Sequence, residues 1–324
     1  MSATGSRARA AEKVSPMAND TTSKDPRAEL AAALIARFGA GSPEALPVDG
    51  GFTLRDDAKG SLHAAVAAAD RPDAAAPLLP LLIRGSQRRF SDRPVSPELV
   101  QLLCAAALSA PSKSDLQLRD LIVVRNAATR RELDALTGQN WVAWAPVMIV
   151  VCANARRLRQ LCHWRGIAFA NDHFDLTFNA ISDAAICLAW LQAATEFAGL
   201  GGCAVSTIRD HAEAASRLLG LPEGVIPIAA FCLGWPVTTP RTSPRLPLDL
   251  TVHNDRFDET RAEDLTTAYD RARATTQPFR HQRDTDRFGE VGEYGWSDDK
   301  ARQYARPQRV DFSDFVRRCG FPLD

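Results

Sequence analysis

The stretch DHFDLTFNAISDAAICLAWLQAATEFAGLGG, residues 172–202, decides the fold. It reads as one long helix, entered through Asp172-His173 as a cap and stopped by Gly199 and Gly201. Between Ala180 and Ala194 it is apolar on nearly every face. Such a helix has to be covered on more than one side. In a chain of 324 residues, this places it at the core of a dimer.

Working outward, GCAVSTI (202–208) begins a strand, HAEAASRLLGL (211–221) is a helix, and IPIAAFCLGWP (226–236) is a second strand. On the N-terminal side, Ser96 caps the helix PELVQLLCAAALSA, with Pro97 at its first position, and the helix has to stop before Pro111. DLIVVRN (120–126) is β-branched and alternating, hence a strand, and TRRELDALTG (129–138) is a helix closed by Gly138. PVMIVVCA (146–153) is a continuous apolar run of strand length and predicts a central buried strand. About four strands among helices predict an α+β fold with a helix-covered sheet.

Past Pro236 the chain turns proline-rich, then polar and arginine-rich through residue 290. RVDFSDFVRRCGF (309–321) predicts a strand and a short helix packed on a partner. At the other end, residues 1–27 read as a disordered tail. Residues 28–79 read as an extension, with a helix over 28–38 and a weaker one near 62–69. Residues 80–324 form the main domain.

Lys plus Arg and Asp plus Glu both number 39, so the formal charge is zero. That balance argues against a general nucleic-acid or membrane-surface binder. Seven cysteines are scattered without C-x-x-C spacing, the pattern of reduced thiols in a cytoplasmic protein. No run is read as reaching the roughly 18 apolar residues of a membrane helix. Six dispersed histidines give no metal-ligand spacing, and no dinucleotide, Walker or nucleophile-elbow motif is present.

Chemistry concentrates elsewhere. RGSQRRF (84–90) crowds basic residues into one turn and offers Arg84, Gly85, Ser86 and Arg88. The loop APSKSDLQ (110–117) offers Ser112, Lys113, Ser114 and Gln117, and TGQN (137–140) offers Gln139. GGCAVSTIRD (201–210) presents small residues and backbone amides at Ala204, Val205, Ser206 and Thr207, while TSPRLP (242–247) holds Ser243 and Arg245 in a rigid turn. Arginine takes a phosphate bidentately, and exposed backbone amides bind ring oxygens, so this set suits a phosphorylated, planar, hydrogen-bonding cofactor. Taken singly, each stretch also has a purely structural reading as a solvated basic turn, an ordinary loop or a helix stop.

In this order the pieces resemble the FMN-dependent nitroreductase superfamily, in its NADPH nitroreductase and flavin reductase branch. The resemblance covers residues 80–324. It rests on RGSQRRF, PSKSDLQ, TGQN, the long helix ending in Gly-Leu-Gly-Gly, LGWP, PRLP, Val252-His253 and Trp296-Ser297-Asp298. It implies a central, mainly antiparallel sheet in an intertwined homodimer, with FMN in each of two interface clefts. Arg84, Ser86, Arg88, Ser112, Gln139, Val205, Ser206, Thr207 and Arg245 would contact it. The chain departs from the branch at Gly85 and Ser243, where cations are usual, at Arg84 and Lys113, which replace a histidine and a serine, and at Ala204 to Thr207.

The implied reaction is ping-pong hydride transfer from NADPH or NADH to a small-molecule acceptor, with the cofactor carrying the chemistry. Arg88, then Lys113, are the cations to stabilise a reduced flavin. Arg280, Arg283 and Arg287 are candidates for the NADPH ribose phosphate, against an exposed-loop reading. Three functions remain open: a broad nitroaromatic or quinone reductase; an FMN enzyme with one dedicated substrate, such as a dehydrogenase, ene-reductase or dehalogenase; and a flavin-binding dimer without turnover.

Overall fold

The computed structural model describes residues 75–239 and 241–324, together with residue 32. The expected tail and the helices near 28–38 and 62–69 lie outside the described residues, apart from that one. Eleven α-helices and four strands follow in chain order among the described residues. They are α1 (Ala75–Ile83), α2 (Pro97–Leu108), β1 (Arg119–Val123), α3 (Ala127–Thr137), β2 (Val147–Asn154), α4 (Arg156–Arg165), α5 (Phe174–Phe197), β3 (Gly201–Val205), α6 (Ala212–Leu219), β4 (Val225–Gly234), α7 (Leu248–Thr251), α8 (Ala262–Thr276), α9 (Thr285–Phe288), α10 (Trp296–Tyr304) and α11 (Phe312–Arg318).

The four strands form one sheet in the order β1-β2-β4-β3, every pair antiparallel. All eight residues of β2 are buried, as its unbroken apolar run requires. Alternation splits that strand between two cores. Val147, Ile149, Val151 and Ala153 face a cluster built from α2, α5 and α11, with Leu103, Ala184, Leu191, Phe315 and Phe321 among its members. Met148, Val150 and Cys152 face the other cluster, with Leu133, Ile208, Ala215 and Cys232. The sheet is therefore covered by helices on both faces.

The starts and stops follow local chemistry. Ser96 Oγ accepts the Leu99 amide at 3.2 Å at the head of α2, behind Pro97. Gly138 closes α3 in the left-handed region at φ 61°. His173 caps α5 by accepting the Asp175 amide, whereas Asp172 turns aside to pair with Arg159. The strand after the long helix is shorter than its composition suggested. It ends at Val205, and Ser206–His211 form a 3₁₀ helix.

Several segments differ from the sequence expectation, the first being residues 75–83, which form α1 across the boundary expected at 79/80. Residues 156–165 form α4, a helix whose polar composition hid it. Residues 236–290 are more than a proline-rich, polar connection, because α8 runs through them for 15 residues. At the C-terminus, α11 forms but no strand accompanies it among the described residues. Its Phe315 and Val316 pack into the chain's own core.

Helix α5 buries Leu176, Ala180, Asp183, Ala184, Cys187 and Leu191 along one face. Phe174, Phe178, Trp190 and Phe197 remain exposed. By length and composition this helix is apolar enough to cross a membrane, contrary to the reading that no run comes near that. Its buried face is packed on the sheet, and Asp183 on that face is ion-paired.

Candidate functional site

The turn at 84–90 is organised by a residue that the motif reading passed over. Gln87 is buried between the nominated Ser86 and Arg88. Its backbone amide donates to Gly202 O at 3.1 Å. Its side-chain Nε2 donates to Thr238 O at 2.8 Å, and its Oε1 accepts the amides of Arg88 (3.1 Å) and Arg89 (3.3 Å). With Gln87 turned inward, Ser86 and Arg88 are left exposed. The Arg88 guanidinium lies over the Trp141 ring, 5.8 Å from its centroid. Arg84 is ion-paired with Glu196 near the end of α5 (3.5 Å).

Two further contacts gather other nominated segments round this turn. Thr207 Oγ1 donates to Thr137 O at 2.9 Å, joining the end of β3 to the turn that holds Gln139. Ala204 and Ser206 are exposed there, while Val205 points into the core. Thr242 Oγ1 donates to Ile83 O at 2.8 Å, which ties the Ser243–Arg245 turn to the same place. That turn is backed by α8: Tyr269 Oη donates to Pro244 O (3.3 Å) and Gln277 Nε2 to Ser243 Oγ (3.4 Å). Arg245 is exposed and donates to the carbonyls of its own turn.

Ser112, Lys113, Ser114 and Gln117 stand apart from this group in the single chain. Ser112 Oγ donates to Asp183 Oδ2 at 3.2 Å, and Lys113 Nζ pairs with Asp175 Oδ2 at 3.0 Å. Asp183 and Asp175 belong to the first half of α5, whereas Arg84 meets Glu196 at its far end. At 1.5 Å per residue, Asp183 and Glu196 are about 20 Å apart along the axis. Hydrogen bonds from Lys113 and then Asn179 hold the exposed Asp175 carboxyl below the usual carboxylate range.

The 112–117 loop is strained. Ser114, Asp115 and Gln117 all have φ near +50° (49°, 55° and 53°). Each such residue costs of order 1–3 kcal/mol and persists only where its surroundings over-determine it. The surroundings are a buried ion pair, Arg119 Nη1 to Asp183 Oδ1 at 2.6 Å. Neither residue was singled out from sequence. A lone carboxylate inside the apolar run 180–194 was the available signal, since a buried charge demands a partner.

Arg280, Arg283 and Arg287 do not point one way. Arg283 Nε donates to the buried Asp299 (2.8 Å), and Arg287 Nη1 donates to Ala305 O (3.0 Å). Arg280 instead lines an open cavity of about 690 Å³ with Arg271, His281, Phe279 and Tyr294. Arg302, buried, donates to Arg283 O and Gly289 O and stiffens the segment.

The donor chemistry suits FMN: guanidinium groups for a phosphate, hydroxyls at Ser86, Ser206 and Thr207, a carboxamide at Gln139, and backbone amides at the end of an edge strand. Comparison with known proteins agrees in kind. Residues 82–235 match the Nitroreductase family, and residues 243–324 match the Nitroreductase family, C-terminal domain. The chain is similar to the oxygen-insensitive NADPH nitroreductase of Salmonella typhimurium, 33% identical over 240 residues, which span 73% of this chain and 94% of that protein. It is 31% identical to the NADPH-flavin oxidoreductase of Vibrio harveyi over 186 residues, 57% of this chain and 76% of that one. Among solved structures, the NADPH:FMN oxidoreductase from Vibrio harveyi complexed with NAD+ superposes with a TM-score of 0.66 at 26% identity, covering 76% of this chain and 99% of that chain. The matched residues take in the long helix, the four-stranded sheet and every nominated segment: this chain belongs to the nitroreductase family.

Proposed function

We propose that the protein is an FMN-dependent NAD(P)H oxidoreductase that reduces small-molecule acceptors such as nitroaromatics or quinones. The reading is supported by the contacts that bring the end of β3, the turn before Gln139 and the Thr242–Arg245 turn beside the Arg84–Arg88 turn pinned by Gln87. When bound, FMN would supply hydride acceptance and donation between the nicotinamide and the acceptor. The chain's residues bind and orient. In this reading Arg88 and Arg245 supply positive charge for the phosphate or for an anionic reduced ring, and Ser86, Ser206 and Gln139 supply directional hydrogen bonds. No side chain is assigned a proton-transfer step. Arg280, open to its cavity, is the first candidate for the nucleotide phosphate of the reductant, ahead of Arg283 and Arg287.

The working unit in this reading is a homodimer. In one chain, the 112–117 loop lies about 20 Å along α5 from the Arg84–Arg88 turn. The same helix leaves Phe174, Phe178, Trp190 and Phe197 exposed. Pairing two chains across that face covers it and lets the 112–117 loop of one chain complete the site begun by the other. All seven cysteines are free thiols, which supports a reducing compartment and hence the cytoplasm.

The test is the visible spectrum of the purified protein. Bound flavin should be evident, should bleach with NADPH or NADH, and should return with a quinone or nitrofuran. Arg88→Ala should purify largely as apoprotein. A colourless wild-type protein that takes up no added FMN would reject the proposal. Bleaching without reoxidation by any nitro or quinone acceptor favours the dedicated-substrate reading, which the departures at Gly85 and Ser243 support.

A further inference from the structure

We propose that Asp183 and Arg119 are positioning residues that hold the Ser112–Gln117 loop in its binding geometry and thereby set the affinity for the cofactor. The inference rests on the reading of that loop as part of the flavin site. Asp183 accepts from Ser112 Oγ (3.2 Å), from the Leu118 amide and from Arg119 Nη1 (2.6 Å). Arg119 Nη2 donates to Leu108 O (2.7 Å) and Ala110 O (2.8 Å). One ion pair thus grips the chain on both sides of the loop, at its entry from α2 and at its exit into β1. Ser112 Oγ also accepts the Gln117 amide at 2.8 Å, which closes the loop on itself. The left-handed backbones of Ser114, Asp115 and Gln117 fall between these fixed points.

Stability alone gives a weak reason for this arrangement. Asp183 is 5% exposed and Arg119 4%. A buried ion pair replaced by apolar side chains of similar volume commonly leaves a protein as stable or more so, because the desolvation cost disappears. Apolar side chains cannot supply the directional contacts to Ser112, Leu118, Leu108 and Ala110. Loop geometry is what this pair contributes that a packed apolar core would not.

The experiment separates the two roles by comparing the full-length wild type, Asp183→Asn, and the double variant Asp183→Leu/Arg119→Met. The thermal midpoint is measured for each. The FMN dissociation constant is read by flavin fluorescence after the cofactor is stripped and titrated back. Amide exchange is followed over residues 110–118. In the wild type, the Gln117 and Leu118 amides should exchange slowly. The double variant should still fold cooperatively, bind FMN at least tenfold more weakly, and exchange faster over the loop. A double variant that binds FMN as tightly as wild type overturns the proposal, as does fast wild-type exchange at Gln117 and Leu118. If the double variant does not fold, Asp183→Asn decides: tenfold weaker FMN binding supports the role, and unchanged binding rejects it. Wild type that binds no FMN sinks the flavin reading, whereas tight wild-type binding with indifferent variants sinks only the positioning role.

Discussion

Gln87 shows how much of the site depends on one buried amide. Its side chain satisfies Thr238 O and the amides of Arg88 and Arg89, and removing it strands all three. These groups are part-buried, and a fully buried group left unpaired costs about 1–3 kcal/mol, less where water can replace the partner. Gln87→Ala should therefore lower the thermal midpoint by several degrees and, because the turn carrying Ser86 and Arg88 loosens, reduce the flavin retained on purification. An unchanged midpoint with full flavin content would show that the turn is held by its backbone contacts alone. Gln87 was hidden in plain sight within RGSQRRF. The basic and hydroxyl residues drew the chemical reading, and nothing in the motif told which of the six side chains turns inward.

At the scale of elements, β3 and its neighbours leave no room at Gly202. A Cβ there would overlap the ring of Phe231, whose Cε2 would sit at 2.9 Å, and Phe231 is fully buried on the paired strand. Gly202→Ala should destabilise the protein by about 1–3 kcal/mol, read from denaturant unfolding, since a close-packed ring has nowhere to move. The C-terminal unit gives a pH prediction. Burial raises the affinity of Asp299 for a proton, but Lys300 and Arg283 outweigh it and hold the carboxyl below the usual range. A depressed folded pKa contributes stability that is complete above the unfolded value of about 3.9 and is lost as pH falls through the folded one. The protection of α10 amides from exchange, relative to their intrinsic rates, should therefore fall on acidification below about pH 4, and Asp299→Asn should flatten that dependence while loosening the unit at neutral pH. Equal acid sensitivity in wild type and variant would remove Asp299 as the cause.

For the whole molecule, the separation of two groups of site residues along α5 makes the assembly testable. Chains carrying Arg88→Ala and chains carrying Lys113→Glu, each expected to bind FMN poorly as homodimers, can be co-expressed with different tags. In a shared site, the mixed dimer gathers both lesions into one cleft and leaves the other intact. Purified mixed dimers should then hold about half the wild-type flavin. Flavin content no better than either parent would place each site within one chain.

The sequence by itself determined the elements and the chemistry. Apolar runs, helix caps and glycine stops are local signals, so all four strands and the helices α2, α3, α5 and α6 were legible within a few residues of their observed ends. The cationic and hydroxyl segments of the site were equally plain, because their residue types announce themselves. Helix α4 and the α8–α10 unit were not, since their surfaces are polar and buried charges such as Asp299 and Arg302 in the latter take part of their bonding from partners 13 to 19 residues away. Only the tertiary structure decided which segments meet: Gln87 with Gly202 and Thr238, Thr207 with Thr137, and Asp183 with Ser112 and Arg119. Each contact joins residues far apart in the chain through one or two directional bonds. Such bonds leave no periodic trace in the sequence, because the geometry they need exists only after the sheet and the long helix have packed.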